Sequence, residues 1–164
     1  MNQFLTRRLF ILIPFASFFK KLFKPQRVFA SSKDSQDNWS LTKEEWKERL
    51  SPEAYYVLRE EGTERPFSSS LNNEKRKGVF KCAGCKQDLF SSESKYDSGT
   101  GWPSFWEHID GAIDNKIDFK LIVPRTEYHC SRCGGHQGHV FNDGPPPTSK
   151  RYCNNGLALR FVPD

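Results

Sequence analysis

Five cysteines are the residues of this 164-residue chain with the most definite chemistry. Four of them form two Cys-x-x-Cys pairs, Cys82 with Cys85 and Cys130 with Cys133. Small or polar residues separate the two sulfurs of each pair, so the backbone can turn until both sulfurs point at one centre. Four thiolates are the closed tetrahedral ligand set that Zn²⁺ favours. We therefore predict one structural zinc ion per chain, since such a site leaves no coordination position open for substrate.

Two other interpretations of these cysteine pairs stay open. The four thiols would form disulfides if the domain is exported, or one pair would be a redox dithiol. The separation between Cys85 and Cys130 exceeds that of an ordinary zinc finger. A metal ion would therefore join distant segments of a sheet, and its binding would contribute to the stability of the fold.

The fifth cysteine, Cys153, is left without a partner for metal binding and is the candidate nucleophile. Lys150-Arg151 precede it, and two cations favour the thiolate, which is the nucleophilic form. Asn155 lies two residues further on, where an extended chain places its amide on the same side as the sulfur. A lone cysteine is more often inert and buried, so this context is what makes Cys153 a catalytic candidate.

Two imidazoles and an aromatic loop are the other candidates for chemistry. His136 and His139 are natural proton donors near neutral pH, although alone they could be metal ligands or surface groups. Two glycines and a proline in Ser98–Trp106 predict a tight loop that presents Trp102 as a flat apolar wall. Such a wall suits methyl and thioether groups, whereas the alternative is that Trp102 fills the core.

Two short helices are predicted ahead of the first strand. Thr42 and Glu45 have the capping-box spacing, which predicts a helix from Lys43. Ser51-Pro52 predicts a second helix, and Gly62 is expected to end it in the left-handed conformation. The side chains expected to face the core lie about one turn apart: Trp46 and Leu50 in the first helix, Tyr55 and Leu58 in the second.

From Gly78 onward, short runs bounded by Gly, Pro, Asn and Asp predict strands. These runs are Gly78–Lys81, Gly111–Asp114, Phe119–Pro124, Glu127–Cys130, His139–Phe141 and Leu157–Val162. The sequence therefore predicts a mainly β fold, mostly antiparallel, with short helices at the N-terminal end of a domain that spans residues 39–164.

Residues 1–30 predict a targeting leader, followed by a polar linker at 31–38. They contain six basic residues, no acidic one and an apolar run that is too short for a spanning helix. The segment Thr6–Ile11 resembles a twin-arginine export signal, which would make the protein periplasmic after cleavage at Ala30. An organelle transit peptide and an uncleaved amphipathic anchor are the alternatives.

The charge of +5 at pH 7 does not indicate nucleic-acid binding. The leader holds the excess of basic residues, and the rest of the chain carries nearly equal numbers of bases and acids. A phosphate-binding surface needs its basic residues on the folded part. We therefore expect no nucleic-acid partner.

Between residues 41 and 163 the sequence resembles the B-type methionine sulfoxide reductases, whose motifs occur here in the family order. The matching stretches are Gly101–Phe105, Pro124–Glu127, the two Cys-x-x-Cys pairs, Gly135–Phe141 and Arg151–Asn155. The resemblance implies two facing antiparallel sheets, with the zinc ion on the side away from the reaction. It also implies a monomer that repairs oxidised proteins or peptides.

The same resemblance implies a role for each matched residue. Cys153 would attack the sulfur of the R epimer of methionine sulfoxide, which leaves methionine and a cysteine sulfenic acid. A sulfoxide oxygen must be protonated as the thiolate attacks, and His139 would be the donor. The other implied site residues are His136 beside His139, Asn155 as a hydrogen-bonding group, Trp102 against the S-methyl group and Phe141 as a further substrate contact.

One position departs from the family pattern. Many members carry a second cysteine in the loop before Gly101, where this sequence has Thr100. With four cysteines on zinc, no thiol is left for an intramolecular disulfide. We therefore expect a thioredoxin-like protein or another external thiol to reduce the sulfenic acid. The alternative function is a non-catalytic ligand-binding module, which would use the Trp102 pocket and would not need Cys153, His139 and Asn155 together.

Overall fold

The computed structural model describes residues 39–119 and 124–164. The predicted leader and linker, residues 1–38, lie outside this part of the chain. So does most of the predicted strand Phe119–Pro124, and its two described ends, Phe119 and Pro124, are not in a strand. Within the described residues no helix is long and apolar enough to span a membrane.

Local capping signals define the two predicted helices, α1 (Lys43–Arg49) and α2 (Pro52–Glu60). Both hydrogen bonds of the capping box between Thr42 and Glu45 form, which confirms the start of α1. The four predicted core positions are confirmed as buried: Trp46, Leu50, Tyr55 and Leu58.

The predicted end of α2 at Gly62 is wrong. The left-handed residue is Glu61, with φ of 55°, and it follows directly after the last helical residue. Gly62 itself is not left-handed, and a Cβ there would overlap the ring of the half-exposed Tyr56 unless that side chain moved.

In residues 39–119 and 124–164, nine strands form two antiparallel sheets. The strands are β1 (Gly78–Cys82), β2 (Asp88–Ser91), β3 (Lys95–Tyr96), β4 (Ser104–Phe105), β5 (Ile113–Asp118), β6 (Arg125–Cys130), β7 (His136–Phe141), β8 (Arg151–Asn154) and β9 (Leu159–Pro163). The smaller sheet has the order β2-β1-β9, and the larger one has the order β3-β4-β8-β7-β6-β5. The last strand begins two residues later than predicted, because Gly156–Ala158 form a short 3-10 helix.

Aromatic side chains from both sheets form the core between them. Phe90 of β2 stacks on Phe105 of β4, with ring centroids 4.2 Å apart, and Phe80 of β1 contacts Phe105 edge-on at 4.9 Å. Phe90 also contacts Tyr128 and Tyr152 of the larger sheet. These contacts confirm the predicted fold class of two facing antiparallel sheets with short N-terminal helices.

The opposite face of the larger sheet carries the candidate functional groups. Cys153 on β8 is paired in register with Ser104 on one side and with His139 of β7 on the other, and His139 is paired with Glu127 of β6. Directly opposed residues of neighbouring strands share a face, and successive residues of one strand alternate between faces. The sheet register therefore places a thiol, an imidazole and a carboxylate in one row.

Candidate active site and metal site

Four buried cysteine sulfurs form a cluster that fits a metal ion. The Sγ atoms of Cys82, Cys85, Cys130 and Cys133 all lie within 4.8 Å of one another, and none belongs to a disulfide. Two of the separations are 3.7 Å (Cys82 to Cys133) and 3.4 Å (Cys85 to Cys130). A tetrahedral Zn²⁺ with bonds of about 2.3 Å holds its sulfurs roughly 3.8 Å apart. The cluster is therefore consistent with the predicted structural zinc site.

The strand ends bring these sulfurs together from both sheets. Cys82 is the last residue of β1 in the smaller sheet, and a turn closed by the bond from Lys86 N to Cys82 O carries Cys85. Cys130 ends β6 in the larger sheet, where Gly134 N donates to Cys130 O around the second turn. A metal ion here would join the two sheets.

Gln137 connects the cysteine cluster with the strand that carries Cys153. Its side chain is fully buried, and Nε2 lies 3.5 Å from the sulfur of Cys82. Its backbone carbonyl accepts hydrogen bonds from Asn155 N at 2.8 Å and from Asn155 Nδ2 at 3.1 Å. One residue of β7 therefore contacts both the cysteine cluster and the candidate active site.

A cavity of about 120 Å³ opens on the row of functional groups. It contains five of the six residues predicted for catalysis and substrate binding. Its lining residues are Thr63, Trp102, Arg125, Gly138, His139, Phe141, Cys153, Asn154 and Asn155.

Cys153 lies in this cavity as a half-buried thiol. Burial raises the pKa of the thiol, while the charge of Arg151 and hydrogen bonds from Thr100 and Arg151 lower it in part. The side chain of Lys150 instead binds Asn142 Oδ1 at 2.6 Å. Of the two preceding cations, only Arg151 therefore lowers the pKa of Cys153 as predicted. The net effect of the site keeps Cys153 protonated at neutral pH.

His139 is oriented by a buried carboxylate. Its Nε2 lies 2.9 Å from Asp118 Oδ2, which also accepts a hydrogen bond of 2.7 Å from Arg125 Nη2. Burial lowers the pKa of His139, and the hydrogen bond and charge of Asp118 oppose this effect. A neutral imidazole has one donor and one acceptor nitrogen. Since Nε2 donates to Asp118, the lone pair lies on Nδ1 and is available to accept a proton.

His136 lies behind His139 instead of on the cavity wall. It is 1 % exposed, its ring centroid is 5.6 Å from that of His139, and Nδ1 is 2.5 Å from Glu127 Oε1. The same carboxylate oxygen is 2.9 Å from His129 Nε2. Burial lowers the pKa of His136 to about 4, against the effect of Glu127. His136 is therefore neutral at pH 7, and its ring contacts that of His139 from behind.

Asn155 lines the cavity, and backbone groups hold both ends of its side-chain amide. Its Oδ1 accepts from Glu64 N at 3.0 Å, and Nδ2 donates to Gln137 O. The carboxylate of Glu64 in turn accepts from the N–H groups of Gly156 and Leu157. Asn155 thus fixes the backbone around Cys153, and its predicted hydrogen bond to substrate stays a prediction.

Trp102 and Phe141 are the two aromatic walls of the cavity. The indole Nε1 of Trp102 donates to Glu64 O at 3.1 Å, which fixes the half-buried ring. The guanidinium of Arg151 lies 4.3 Å from the centroid of the Phe141 ring, and it also forms a two-point ion pair with Asp143. These contacts give the cavity rigid apolar walls beside the thiol.

Comparison with known proteins identifies the family. The family model described as the SelR domain matches residues 50–163. The chain belongs to the SelR domain family. Relatives named peptide methionine sulfoxide reductase MsrB include one from Methanosarcina barkeri, which is 55% identical over 121 residues (73% of this chain, 85% of the relative), and one from Leptospira interrogans, which is 50% identical over 127 residues (76% and 97%).

A third relative is named peptide methionine sulfoxide reductase B1, chloroplastic, from Arabidopsis thaliana. It is 47% identical over 139 residues, which cover 84% of this chain and 68% of the relative. These matches confirm the resemblance to the B-type methionine sulfoxide reductases that the motifs indicate. The individual roles of the site residues stay predictions.

Several residues that organise the SelR domain site were not found by sequence reasoning. Arg125 and Glu127 lie in a matched stretch, but nothing in their spacing shows that they contact His139 and His136. The residues around Asp118 in the sequence do not indicate its contact with His139, because its position depends on its cross-strand pairing with Arg125. Glu64 is an acidic residue in a loop, and only its hydrogen bonds to the side chains of Trp102 and Asn155 and to the backbone of Gly156 show its importance.

Proposed function

We propose that this SelR domain protein reduces the R epimer of methionine sulfoxide in oxidised proteins, with Cys153 as the nucleophile. The observation that supports the proposal is one cavity in which Cys153, His139 and Trp102 line the wall together. Membership of the SelR domain family supports methionine sulfoxide reduction as the reaction, and the names of the relatives support a peptide substrate.

The first chemical step follows from the protonation states of the two paired residues. Burial favours the thiol of Cys153 and the neutral form of His139, so at pH 7 the resting site holds one proton on sulfur. The two residues are direct cross-strand partners, which places their side chains next to each other. Transfer of the proton from Cys153 to His139 Nδ1 creates the nucleophile and the acid together.

The thiolate then attacks the sulfur of the sulfoxide, while the imidazolium protonates its oxygen. The attack forms a bond between the two sulfurs. When this bond and the sulfur–oxygen bond of the substrate break, the oxygen passes to Cys153 as the hydroxyl of a sulfenic acid. The thioether of methionine is released with two electrons that come from the cysteine sulfur. The step neither consumes nor releases a proton overall, since the thiol proton becomes the sulfenic acid proton.

An external thiol completes the cycle in this proposal. Thr100, whose hydroxyl lowers the pKa of Cys153 as a hydrogen-bond donor, occupies the position where many family members carry a second cysteine. The other four thiols lie in the metal cluster. We therefore propose that a thiol redox protein or a small thiol attacks the sulfenic acid, releases water and forms a mixed disulfide, which a second thiol resolves.

The four clustered cysteines would hold zinc, which would act away from the chemistry. A closed Cys₄ site supplies structural stability and no open coordination position. The residues that would bind the ion end β1 and β6 and lie in the turns that follow them. The ion would therefore hold the two sheets together and so preserve the shape of the cavity.

A stereochemical assay tests the proposed function. We expect the protein to reduce the R sulfoxide of a blocked methionine and to leave the S sulfoxide unchanged, with chiral chromatography as the measurement. Cys153→Ser should abolish turnover but still bind the sulfoxide, because the aromatic walls remain. Turnover of the S form, or turnover by Cys153→Ser, would contradict the proposed function.

We also propose that residues 1–30 direct the protein to export, with an organelle as the alternative destination. The support is the basic, apolar leader with its twin-arginine-like segment. N-terminal sequencing of the mature protein from its own cells should find Ser31 as the first residue. A mature protein that retains Met1 would contradict cleavage.

A further inference from the structure

A surface groove of about 490 Å³ lies next to the catalytic cavity. Thr63 lines both, so the groove begins where the cavity opens. Pro52, Tyr56 and Val57 of α2 line one part of the groove, and Leu157 lines it beyond Asn155. The groove is therefore continuous with the site and extends along the surface away from it.

The walls of the groove are attached to the residues of the cavity. The Glu64 carboxylate accepts from Leu157 N at 2.9 Å and from Gly156 N at 2.6 Å. The backbone of Glu64 binds Trp102 and Asn155, both of which line the cavity. The spacing between groove and cavity is thus fixed by hydrogen bonds, and a ligand could use both at once without rearranging the backbone.

Two large apolar side chains of the groove are left exposed. Tyr56 is 51 % exposed and Leu157 is 38 % exposed. Both lie on well-packed elements, since the neighbouring Val57 and Ala158 are buried. Apolar surface beside a binding cavity is typical of a surface that contacts a ligand.

We propose that this groove binds the apolar side chain of a residue that neighbours methionine sulfoxide in the substrate polypeptide. The inference rests on the proposed function and extends it to sequence preference. When the sulfoxide side chain of a polypeptide lies in the cavity, the rest of the polypeptide must extend over the protein surface. Past Thr63, this surface is the apolar groove. Tyr56 and Leu157 then determine which polypeptides are repaired fastest, while the chemistry stays with Cys153 and His139.

A peptide series tests this proposal on the full-length protein. Each peptide would consist of Gly and Ser around a central methionine-R-sulfoxide. Each test peptide would carry one Leu, either at one of the two positions before the sulfoxide or at one of the two positions after it. We expect Leu at one of these positions to raise kcat/KM by roughly fivefold to tenfold over the peptide without Leu, as expected for partial burial of a leucine side chain. Blocked methionine-R-sulfoxide, which cannot reach the groove, is the reference substrate.

Variants of the groove supply the second part of the test. Leu157→Ser and Tyr56→Ser should remove the gain from Leu while the blocked substrate is reduced at the wild-type rate. Val162→Ser is the matched control, since Val162 is 44 % exposed on β9 and lies outside the groove. The proposal is overturned if no Leu position gives a gain, if the gain survives both variants, or if both substrates are affected equally.

The proposed function fails separately from this inference. A wild-type protein that reduces no blocked methionine-R-sulfoxide refutes the reaction itself. A wild-type protein that reduces the blocked substrate but ignores the sequence of the peptides refutes the groove alone.

Discussion

Two charged residues act on the Cys153 thiol in opposite directions. Arg151 lowers its pKa through its charge and a hydrogen bond, whereas the charge of Asp143 raises it. The two residues also form an ion pair, with the two hydrogen bonds both 2.8 Å long. Burial raises the pKa of the thiol most, and the two charges then shift it in opposite directions, so single substitutions can move it either way.

We expect Arg151→Met to raise the pKa of Cys153 and Asp143→Asn to lower it. Only the thiolate reacts with iodoacetamide, so the alkylation rate rises with pH through the pKa of the thiol. The midpoint of this profile should move to higher pH in Arg151→Met and to lower pH in Asp143→Asn. Cys153→Ser supplies the background from the other four thiols. Shifts of both variants in one direction would show that structural change, not charge, determines the pKa.

Thr100 lies where an internal resolving thiol would have to be. Its hydroxyl lowers the pKa of Cys153 as a hydrogen-bond donor and lies 2.8 Å from the hydroxyl of Ser98. Position 100 is therefore next to the sulfur of Cys153, where a second thiol would be placed to react with it. In the proposed cycle the wild-type protein, in contrast, stops at the sulfenic acid until an external thiol arrives.

Thr100→Cys should convert the protein to an enzyme that forms an internal disulfide. After one turnover with methionine-R-sulfoxide, mass spectrometry of the variant should find a disulfide between position 100 and Cys153. The wild-type protein treated in the same way should yield a sulfenic acid that dimedone labels. Thr100→Ser is the control, since it keeps the hydroxyl and offers no thiol. An internal disulfide in the wild-type protein would contradict the proposed route.

At the scale of elements, the pairing of β7 with β8 positions the two groups proposed to react. His139 is opposite Cys153, and the neighbouring pair is Gly138 opposite Asn154. A Cβ on Gly138 would overlap the backbone carbonyl oxygen of Cys153. The two strands can therefore approach closely only because residue 138 has no side chain.

We expect Gly138→Ala to separate β8 from β7 and to displace Cys153 from His139. Activity should be lost, and the free energy of unfolding should fall by roughly 2 kcal/mol or more, in the range of overpacking in a core. Gly111→Ala is the matched control, because its Cβ would meet nothing within 4 Å although its φ is +68°. It should cost about 1 kcal/mol for the left-handed backbone and leave activity unchanged. Urea unfolding and a turnover assay measure both effects, and an active Gly138→Ala would contradict the argument.

Capping and cysteine spacing were predictable because they depend on neighbours in the sequence. Thr42 and Glu45 cap the helix three residues apart, and each Cys-x-x-Cys turn is likewise local. The contacts of Asp118 and Glu127 were not predictable, because the pairing of β5, β6 and β7 decides which imidazole each carboxylate meets. Five of the six residues to which the family resemblance assigns a role line one cavity, and His136 does not. Their roles in the reaction stay predictions. The resemblance could not indicate that burial would dominate the pKa of Cys153.

At the scale of the whole molecule, the larger sheet uses its two faces for different purposes. One face packs aromatic side chains against the smaller sheet, and the other carries the thiol, the imidazole and the carboxylate. The cysteine cluster lies where both sheets end, and Gln137 connects it to Asn155. Loss of the metal ion would therefore affect both the association of the sheets and the backbone next to Cys153.

The purified protein should contain one zinc ion per chain, and removal of the ion should largely unfold the domain. Structural Zn²⁺ binds to zinc-finger peptides with about 10–16 kcal/mol, which is as large as the stability of about 5–15 kcal/mol expected for a whole domain. Elemental analysis gives the stoichiometry, and thermal unfolding before and after chelation gives the stability. Cys85→Ser should lack zinc and behave like the chelated protein.

Cys153→Ser is the matched control for the metal site, because Cys153 lies outside the cluster of four sulfurs. It should retain zinc and unfold at the wild-type temperature, although it cannot turn over. If Cys153→Ser lost the ion, Cys153 would be a ligand and could not be the nucleophile. If the chelated protein instead kept its wild-type unfolding temperature, the two sheets would be held together by the aromatic core alone.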